Sequence, residues 1–598
     1  MRSPLLLMRR LFPILSLLLV LAAGCFVYAK TGQFGAVDYD DPVYLTQQPG
    51  VAGGLSAEGA RWAFTTLTGN LYSPLTWLSH QLDVSLFGME RLGAHHLMSV
   101  GLHLLSTTLA FALVLVLFPG RWGVAAFAAG AFCLHPLHVE SVAWLSERKD
   151  VLSGLFFHAS LLCYALWAGR DRSHLLWAGS LVCFAAAILA KPAAVVLPAV
   201  LLLIDYYPLR RCGWEKGWNW DQPGLLPTLL RQLRSKWPFL LLAAASTLIG
   251  VHAQNAGSHG GQFKSPLLGR LAELPEVLAF YLERTLAPVK LAFHYPRPNH
   301  ELFLGVINAH RLYLIAGVLL IAGIVWMIRS WLPSRRWALF GTGWFLATLA
   351  PVLGFVHVGT SFTSDRYTYL ALLGPAAALG VGLPVLWKRI PNPLWSVLGI
   401  IILTCWTLLS QRQVLTWKDN LSLFGHATRV QPRSSIAWTN YGAAHNKLGN
   451  QEAAAVAFEK SFAMQPDYVV AMNLGSLASK SGDREEAIQW HRKSLSIHPD
   501  YGPAHYRLGA LLAKQAQPGT AAMTEALGHL ERGARNGHVP DAAAIFAYAN
   551  ALLRSGQPAQ VEEAKQVILY GLSLPGARAD VREALEQLAR AVGLPTSG

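Results

Sequence analysis

Three carboxylates fall within four residues of this chain, Asp38, Asp40 and Asp41 in Val37-Asp38-Tyr39-Asp40-Asp41-Pro42. Crowded carboxylates repel one another, and a pKa rises among them unless a cation or a substrate donor balances the charge. Such a group could act as a general base or hold a metal. It could also cap a helix, since Asp followed by Pro suits a helix start. A second cluster is His135-Pro136-Leu137-His138-Val139-Glu140, followed by Ser146-Glu147-Arg148-Lys149-Asp150. Its HxxHxE spacing can supply metal ligands, although histidines near a membrane surface also hydrogen-bond locally. Arg148-Lys149 is a concentrated positive pair, either a snorkelling anchor or a clamp for a phosphate. The third cluster is Ser364-Asp365-Arg366-Tyr367-Thr368-Tyr369-Leu370, where Arg366 needs Asp365 or an anionic ligand as its partner.

The elements that must position these groups are apolar. Of 598 residues, 53% are hydrophobic and only 14% charged, and the mean hydropathy is +0.34, too apolar for a soluble globule. Apolar runs of about 17 to 25 residues recur, which makes the chain an all-α, polytopic membrane protein. The net charge of +15 comes largely from Lys and Arg standing between these runs, the pattern of cytoplasmic loops rather than of a nucleic-acid surface. Cys25, Cys133, Cys163, Cys183, Cys212 and Cys405 are scattered without a CxxC pair and read as small core residues. Ala22-Ala23-Gly24-Cys25 resembles a lipoprotein cleavage site, but apolar sequence continues past it, so the first run is expected to be a retained helix.

Arg9 and Arg10 place the N-terminus in the cytoplasm and residues 30–94 outside. Spans are expected near 4–29, 95–118, 122–138 and 151–168. Two more lie within 173–207, broken at Lys191-Pro192, and the rest near 237–252, 310–329, 337–356, 367–387 and 393–410. That is eleven. Residues 254–309 stay outside, with 273–293 as an interfacial helix because Glu273, Glu276, Glu283 and Arg284 interrupt its apolar face. On this topology all three clusters share the outer side of the membrane, the best unaided argument for a site.

After Gln411 the composition turns Ala-rich, charged and helical, which sets domains at 1–411 and 412–598. Pro432, Pro466 and Pro499 recur there at the same spacing of 33 or 34 residues as Gly442, Gly475 and Gly509. Ala454 pairs with Ala487, and Lys460-Ser461 with Lys493-Ser494. That period resembles tetratricopeptide repeats and predicts an α-solenoid, clear over 432–513 and continuing as irregular helical pairs to the end.

The ordered set of outer Asp40-Asp41, HPLHVESVAWLSERKD, SDRYTYL and C-terminal repeats resembles the transmembrane-and-tetratricopeptide O-mannosyltransferases and their bacterial relatives. These belong to the GT-C glycosyltransferase superfamily. The resemblance implies an inverting transfer of a sugar, mannose first among candidates, from a polyprenyl-phosphate donor to a Ser or Thr hydroxyl outside the cytoplasm. It implies a bacterial inner-membrane location, with catalytic loops and repeats in the periplasm and the repeats binding the protein acceptor. The family's catalytic acidic pair maps onto Asp40 and Asp41, and its second-loop motif onto His135, His138, Glu140, Arg148 and Asp150. Lys149 stands where relatives typically carry a small residue. Asp40 is the expected base, with Asp41 orienting the acceptor or the loop; Arg148, Lys149 and Arg366 are the expected phosphate contacts. A phosphate leaving group needs positive charge rather than a proton donor, and this scheme requires no metal; no cofactor is expected, the lipid-linked sugar being a substrate. Two other readings stay open: a GT-C enzyme acting on a lipid or glycan, and a non-enzymatic envelope scaffold that recruits partners through its repeats.

Overall fold

The computed structural model describes residues 4–171, 173–211, 225–257, 273–296, 309–329, 336–353, 361–387, 391–535, 542–574 and 578–595. The basic stretch around Cys212 and Lys216, residues 258–272 and 297–308 of the long loop, Arg335 and the turn Lys388-Arg389 lie outside them. Among the described residues all regular structure is helical. The chain divides into two compact units, Met1–Gln431 and Pro432–Gly598. That division falls 20 residues beyond the change in composition at 411/412. Residues 415–431 pack on the first unit instead, where Trp417 stacks on Trp144 (5.3 Å between ring centroids) and Phe424 meets Phe293 edge-on.

In the first unit, five helices are long and apolar enough to cross a membrane: Leu11–Gln33, Leu92–Leu117, Leu145–Gly169, Trp237–Asn255 and Pro393–Trp417. A bent pair, Trp122–Leu134 and Pro136–Ala143, which meet at 47°, is long and apolar enough only when taken together. The count of eleven is therefore not reached on length and apolarity among the described residues, and the reasons are local. Pro136 cannot donate to the helix ladder, so the third helix stops at Leu134 rather than running to 138. Lys191-Pro192 breaks 173–207 into His174–Ala190 and Leu197–Tyr206 around a short 3-10 turn. Asp365–Thr368 winds into another 3-10 turn, so the following helix begins only at Leu373.

Two segments differ from their expected character. Residues 30–94 are not an open loop: they hold helices Ala57–Thr65, capped by Ser56, and Pro74–Phe87. Tyr44 stacks on Trp77 at 5.1 Å, and Trp62 meets the same indole edge-on. Ser146–Asp150 is likewise no loop. Leu145–Glu147 forms a 3-10 turn that runs directly into helix Arg148–Leu166, so this motif occupies the first turns of a span. Within 273–293, Leu274–Leu286 forms a helix of 13 residues, about 20 Å, too short to cross a bilayer alone. Its Val277, Leu278 and Tyr281 enter a core shared with Tyr295, Leu349 and Leu353.

The second unit is a run of helical pairs: Ser435–Lys447 with Gln451–Met464, Tyr468–Ser481 with Arg484–Ile497, and Gly502–Ala513 with Ala521–Arg535. Ala542–Ser555 with Pro558–Ser573 and a last helix, Ala579–Ala591, follow. Caps recur with the repeat, as Ser434 accepts from Ala437 N–H and Asp467 from Val469 and Val470 N–H. The periodic glycines mark helix crossings. A Cβ on Gly442 would meet Phe458 at 2.8 Å, one on Gly475 would meet His491 at 2.8 Å, and one on Gly509 would meet Leu530 at 2.8 Å. This is why the spacing repeats: each pair closes only where one helix carries no side chain.

Candidate functional site

The segment after the first helix is built by dividing its three carboxylates among three tasks. Asp38 faces away from the bundle interior. It accepts from the side-chain amide of Asn420 at 2.6 Å, while its own N–H donates to the Asn420 carbonyl at 2.7 Å. Asp41 is 1% exposed and accepts from Val37 N–H (2.8 Å), Ser146 N–H (3.0 Å) and the Ser146 hydroxyl. Burial raises its pKa to about 6 against these hydrogen bonds. Tyr39 packs between Phe293 (5.0 Å) and Trp144 (5.7 Å). With both flanks fastened, Asp40 projects into a cavity of about 320 Å³.

The charged wall of that cavity carries Asp40, Glu147, Lys149, Asp150, Lys191 and Arg366. Much of the remaining lining is apolar and includes Val195, Val251, Val352 and Leu370. Gly69 lines it too, at φ +74°, where a Cβ would meet the Tyr44 hydroxyl at 2.8 Å. A polar head with an apolar tail fits such a space better than a wholly polar molecule does.

Glu147 is the hub of the charged wall. Its carboxylate meets Lys149 Nζ at 3.1 Å, Arg366 Nε at 3.2 Å and Lys191 Nζ at 3.2 Å. Lys191 also meets Asp150 at 2.6 Å, and the other oxygen of Asp150 accepts from Ser141 at 3.0 Å. Glu140, 3% exposed, holds Arg366 from behind, accepting from its backbone N–H at 3.0 Å and from its guanidinium at 2.5 Å. The Arg366 guanidinium also lies over the Trp144 ring at 5.5 Å, and Lys149 over the Tyr44 ring at 4.2 Å. Burial raises the pKa of Asp40; Lys149 draws it down, Glu147 pushes it up and Arg366 draws it down again. Asp40 is thus a carboxylate on a cavity wall, held between a raised proton affinity and two cations.

Of the residues singled out in the sequence, Asp40, Lys149, Asp150 and Arg366 meet at this cavity, with Asp41 and Glu140 bracing it. Arg148 does not reach it. Its guanidinium is fully buried on the other side of the helix, paired with Asp83 (2.7 Å) and donating to Ser79, Ser99 and the His95 carbonyl. Four of its five N–H donors are spent on those contacts. His135 and His138 are buried away from the cavity: His135 Nε2 faces the Thr285 carbonyl at 3.0 Å, and His138 faces those of Phe132 (2.7 Å) and Thr368 (3.3 Å). They brace backbone rather than substrate. Among the described residues no three His, Cys, Asp or Glu side chains gather as a metal site.

Two cavity residues escaped the sequence reading. Glu147 stood in the charged motif but was overshadowed by Arg148-Lys149. Lys191 stands out in the sequence chiefly as half of a helix break, although a lysine inside an otherwise apolar run is itself a functional signal.

Fold and site together define a polytopic, all-helical membrane protein with a charged-and-apolar cavity and a tetratricopeptide-repeat unit. The tetratricopeptide repeat family model matches residues 436–468 and 470–501. The chain is similar to protein O-mannosyl-transferase TMTC3 of Mus musculus, 23% identical over 443 residues, covering 67% of this chain and 45% of that protein. It is 29% identical over 273 residues to protein O-mannosyl-transferase TMTC2 of Homo sapiens, covering 42% of this chain and 31% of that one. This chain therefore spans less than half the length of these curated relatives.

Proposed function

We propose that this chain is a membrane glycosyltransferase that moves a sugar, mannose by the names of its relatives, from a polyprenyl-phosphate donor to a Ser or Thr hydroxyl of a protein outside the cytoplasm. The observation that carries the reading is the shared cavity: Asp40, Lys149, Lys191 and Arg366 all line it, together with apolar side chains. The hydroxyl donates its proton to Asp40 as its oxygen bonds to the anomeric carbon. The bond from that carbon to the phosphate oxygen breaks, the electron pair leaves with the phosphate, and Lys149, Lys191 and Arg366 stabilise the charge that develops. Attack opposite the leaving phosphate inverts the anomeric centre. Asp41 and Glu140 touch no substrate in this scheme; they position Asp40 and Arg366. The repeats, whose fold commonly recruits peptides, would present the acceptor.

The test compares wild type with Asp40→Asn, in membranes at equal expression, for transfer from radiolabelled polyprenyl-phosphate mannose. Label entering protein with wild type and falling by roughly 10²-fold or more in the variant is expected for loss of a general base. Equal transfer by both removes Asp40 from the chemistry, and label entering lipid or glycan instead of protein reassigns the acceptor. Impermeant labelling of Lys460 and Lys493 in intact cells tests the topology; reaction only after lysis would put the repeats inside.

A further inference from the structure

We propose that Glu147 occupies the seat of the donor's phosphate when no donor is bound, and that Lys191 is a third phosphate contact freed when Glu147 gives way. The inference rests on the transferase reading of the cavity and extends it to how the head group enters. Three cations from three separate elements converge on one carboxylate: Lys149 beside it in the chain, Lys191 at the break between two helices, and Arg366 from a distant turn. Their separations from its oxygens are 3.1 to 3.2 Å. A single carboxylate needs no such number of partners, whereas a phosphate, with more oxygens to offer, accepts from several cations at once. Glu147 and all three cations line the cavity, so they hold their places where a ligand can reach them.

Charge balance makes displacement necessary. The cavity wall bears three carboxylates (Asp40, Glu147, Asp150) against three cations (Lys149, Lys191, Arg366). With all six ionised it is neutral and offers an anion no net attraction. Two carboxylates have other commitments: Asp150 accepts from Ser141 and holds Lys191 at 2.6 Å, and Asp40 is the proposed base. Among the described residues, the Glu147 carboxylate meets the cations a phosphate would take, and Asp150 beside it. When it turns aside, Lys149 Nζ, Lys191 Nζ and Arg366 Nε each lose a partner that a phosphate oxygen can replace. The apolar lining of Val195, Val251 and Leu370 then favours an anion that carries a hydrocarbon chain over free phosphate.

Direct binding tests this without any sugar or acceptor, so its failure is distinct from failure of the transferase reading. The full-length protein in detergent is titrated with farnesyl phosphate, with inorganic phosphate and with farnesol. Wild type should bind farnesyl phosphate more tightly than either of the others. Glu147→Gln, which removes the competing charge but keeps the shape, should tighten farnesyl phosphate about tenfold, the effect of one charge-assisted contact no longer opposed, and leave farnesol unchanged. Lys191→Met should weaken farnesyl phosphate by a similar factor and spare farnesol. Unchanged farnesol binding reports that both variants are folded, and a farnesol loss in Glu147→Gln is resolved by repeating the titration with Glu147→Ala. Weaker or unaltered farnesyl phosphate binding in a Glu147 variant that still takes farnesol overturns the proposal. So does inorganic phosphate matching farnesyl phosphate, which would make the seat one for a free anion.

Discussion

Asp41 accepts two hydrogen bonds from Ser146, one from its backbone N–H at 3.0 Å and one from its hydroxyl, across 105 residues of chain. The segment after the first helix is thereby fastened to the turn that presents Glu147 and Lys149, and Asp40 inherits its position from its neighbour. Burial holds the Asp41 pKa near 6, above an ordinary carboxylate. A carboxyl with a raised folded-state pKa favours folding below its unfolded pKa, and that contribution is lost as pH rises through the folded value. Stability should therefore fall between about pH 4 and pH 6 by up to the order of 3 kcal/mol from this group. Asp41→Asn should flatten that slope in thermal unfolding of the detergent-solubilised protein. A slope as steep in the variant as in wild type would remove Asp41 as its source.

Asp40 gives a kinetic counterpart. A base must be ionised to act, and burial raises the pKa of Asp40 while Lys149 and Arg366 restrain the rise. The acid limb of kcat/KM for transfer should lie above the ordinary carboxylate range. Lys149→Met should move it to still higher pH, because a charge favouring the ionised form is gone. A limb that stays in place while KM for the donor rises would confine Lys149 to phosphate binding.

What was legible in the sequence, and what was not, follows from geometry. The helical class, the repeat period and the break at Lys191-Pro192 were all visible because each depends on spacing or on a missing N–H. Arg148 and Lys149 could not be told apart. Adjacent residues at the start of a helix point about 100° apart, so one reaches the cavity and the other Asp83, and only the packed neighbours decide which. The same holds for the three early aspartates, whose separate partners, Asn420, the cavity and Ser146, lie far away in sequence.

Arg148 should accordingly behave as a structural ion. Removing one partner of a buried pair leaves Asp83, which is fully buried, without its counter-charge. Arg148→Ala should cost about 3–5 kcal/mol and reduce the yield of folded protein in detergent. Whatever fraction folds should keep the donor KM of wild type, since the guanidinium makes no cavity contact. A well-folded variant with a sharply raised donor KM would return Arg148 to the phosphate site.

Gly442 sets the closeness of the first repeat's helices, because a Cβ there would meet the buried Phe458 ring at 2.8 Å. Phe458 sits in a core with Ala454, Val470, Leu474 and Leu477, which belong to this repeat and the next, so it cannot retreat without disturbing both. Gly442→Ala gains helix propensity of up to about 1 kcal/mol. Overpacking costs about 1–3 kcal/mol, so the net change should be destabilising. The repeat unit should become more readily cleaved by protease. Adding Phe458→Leu, which vacates the space the new methyl needs, should restore part of the loss. If Gly442→Ala alone resists protease as well as wild type, the crossing has room to spare and the glycine period reflects something other than close packing.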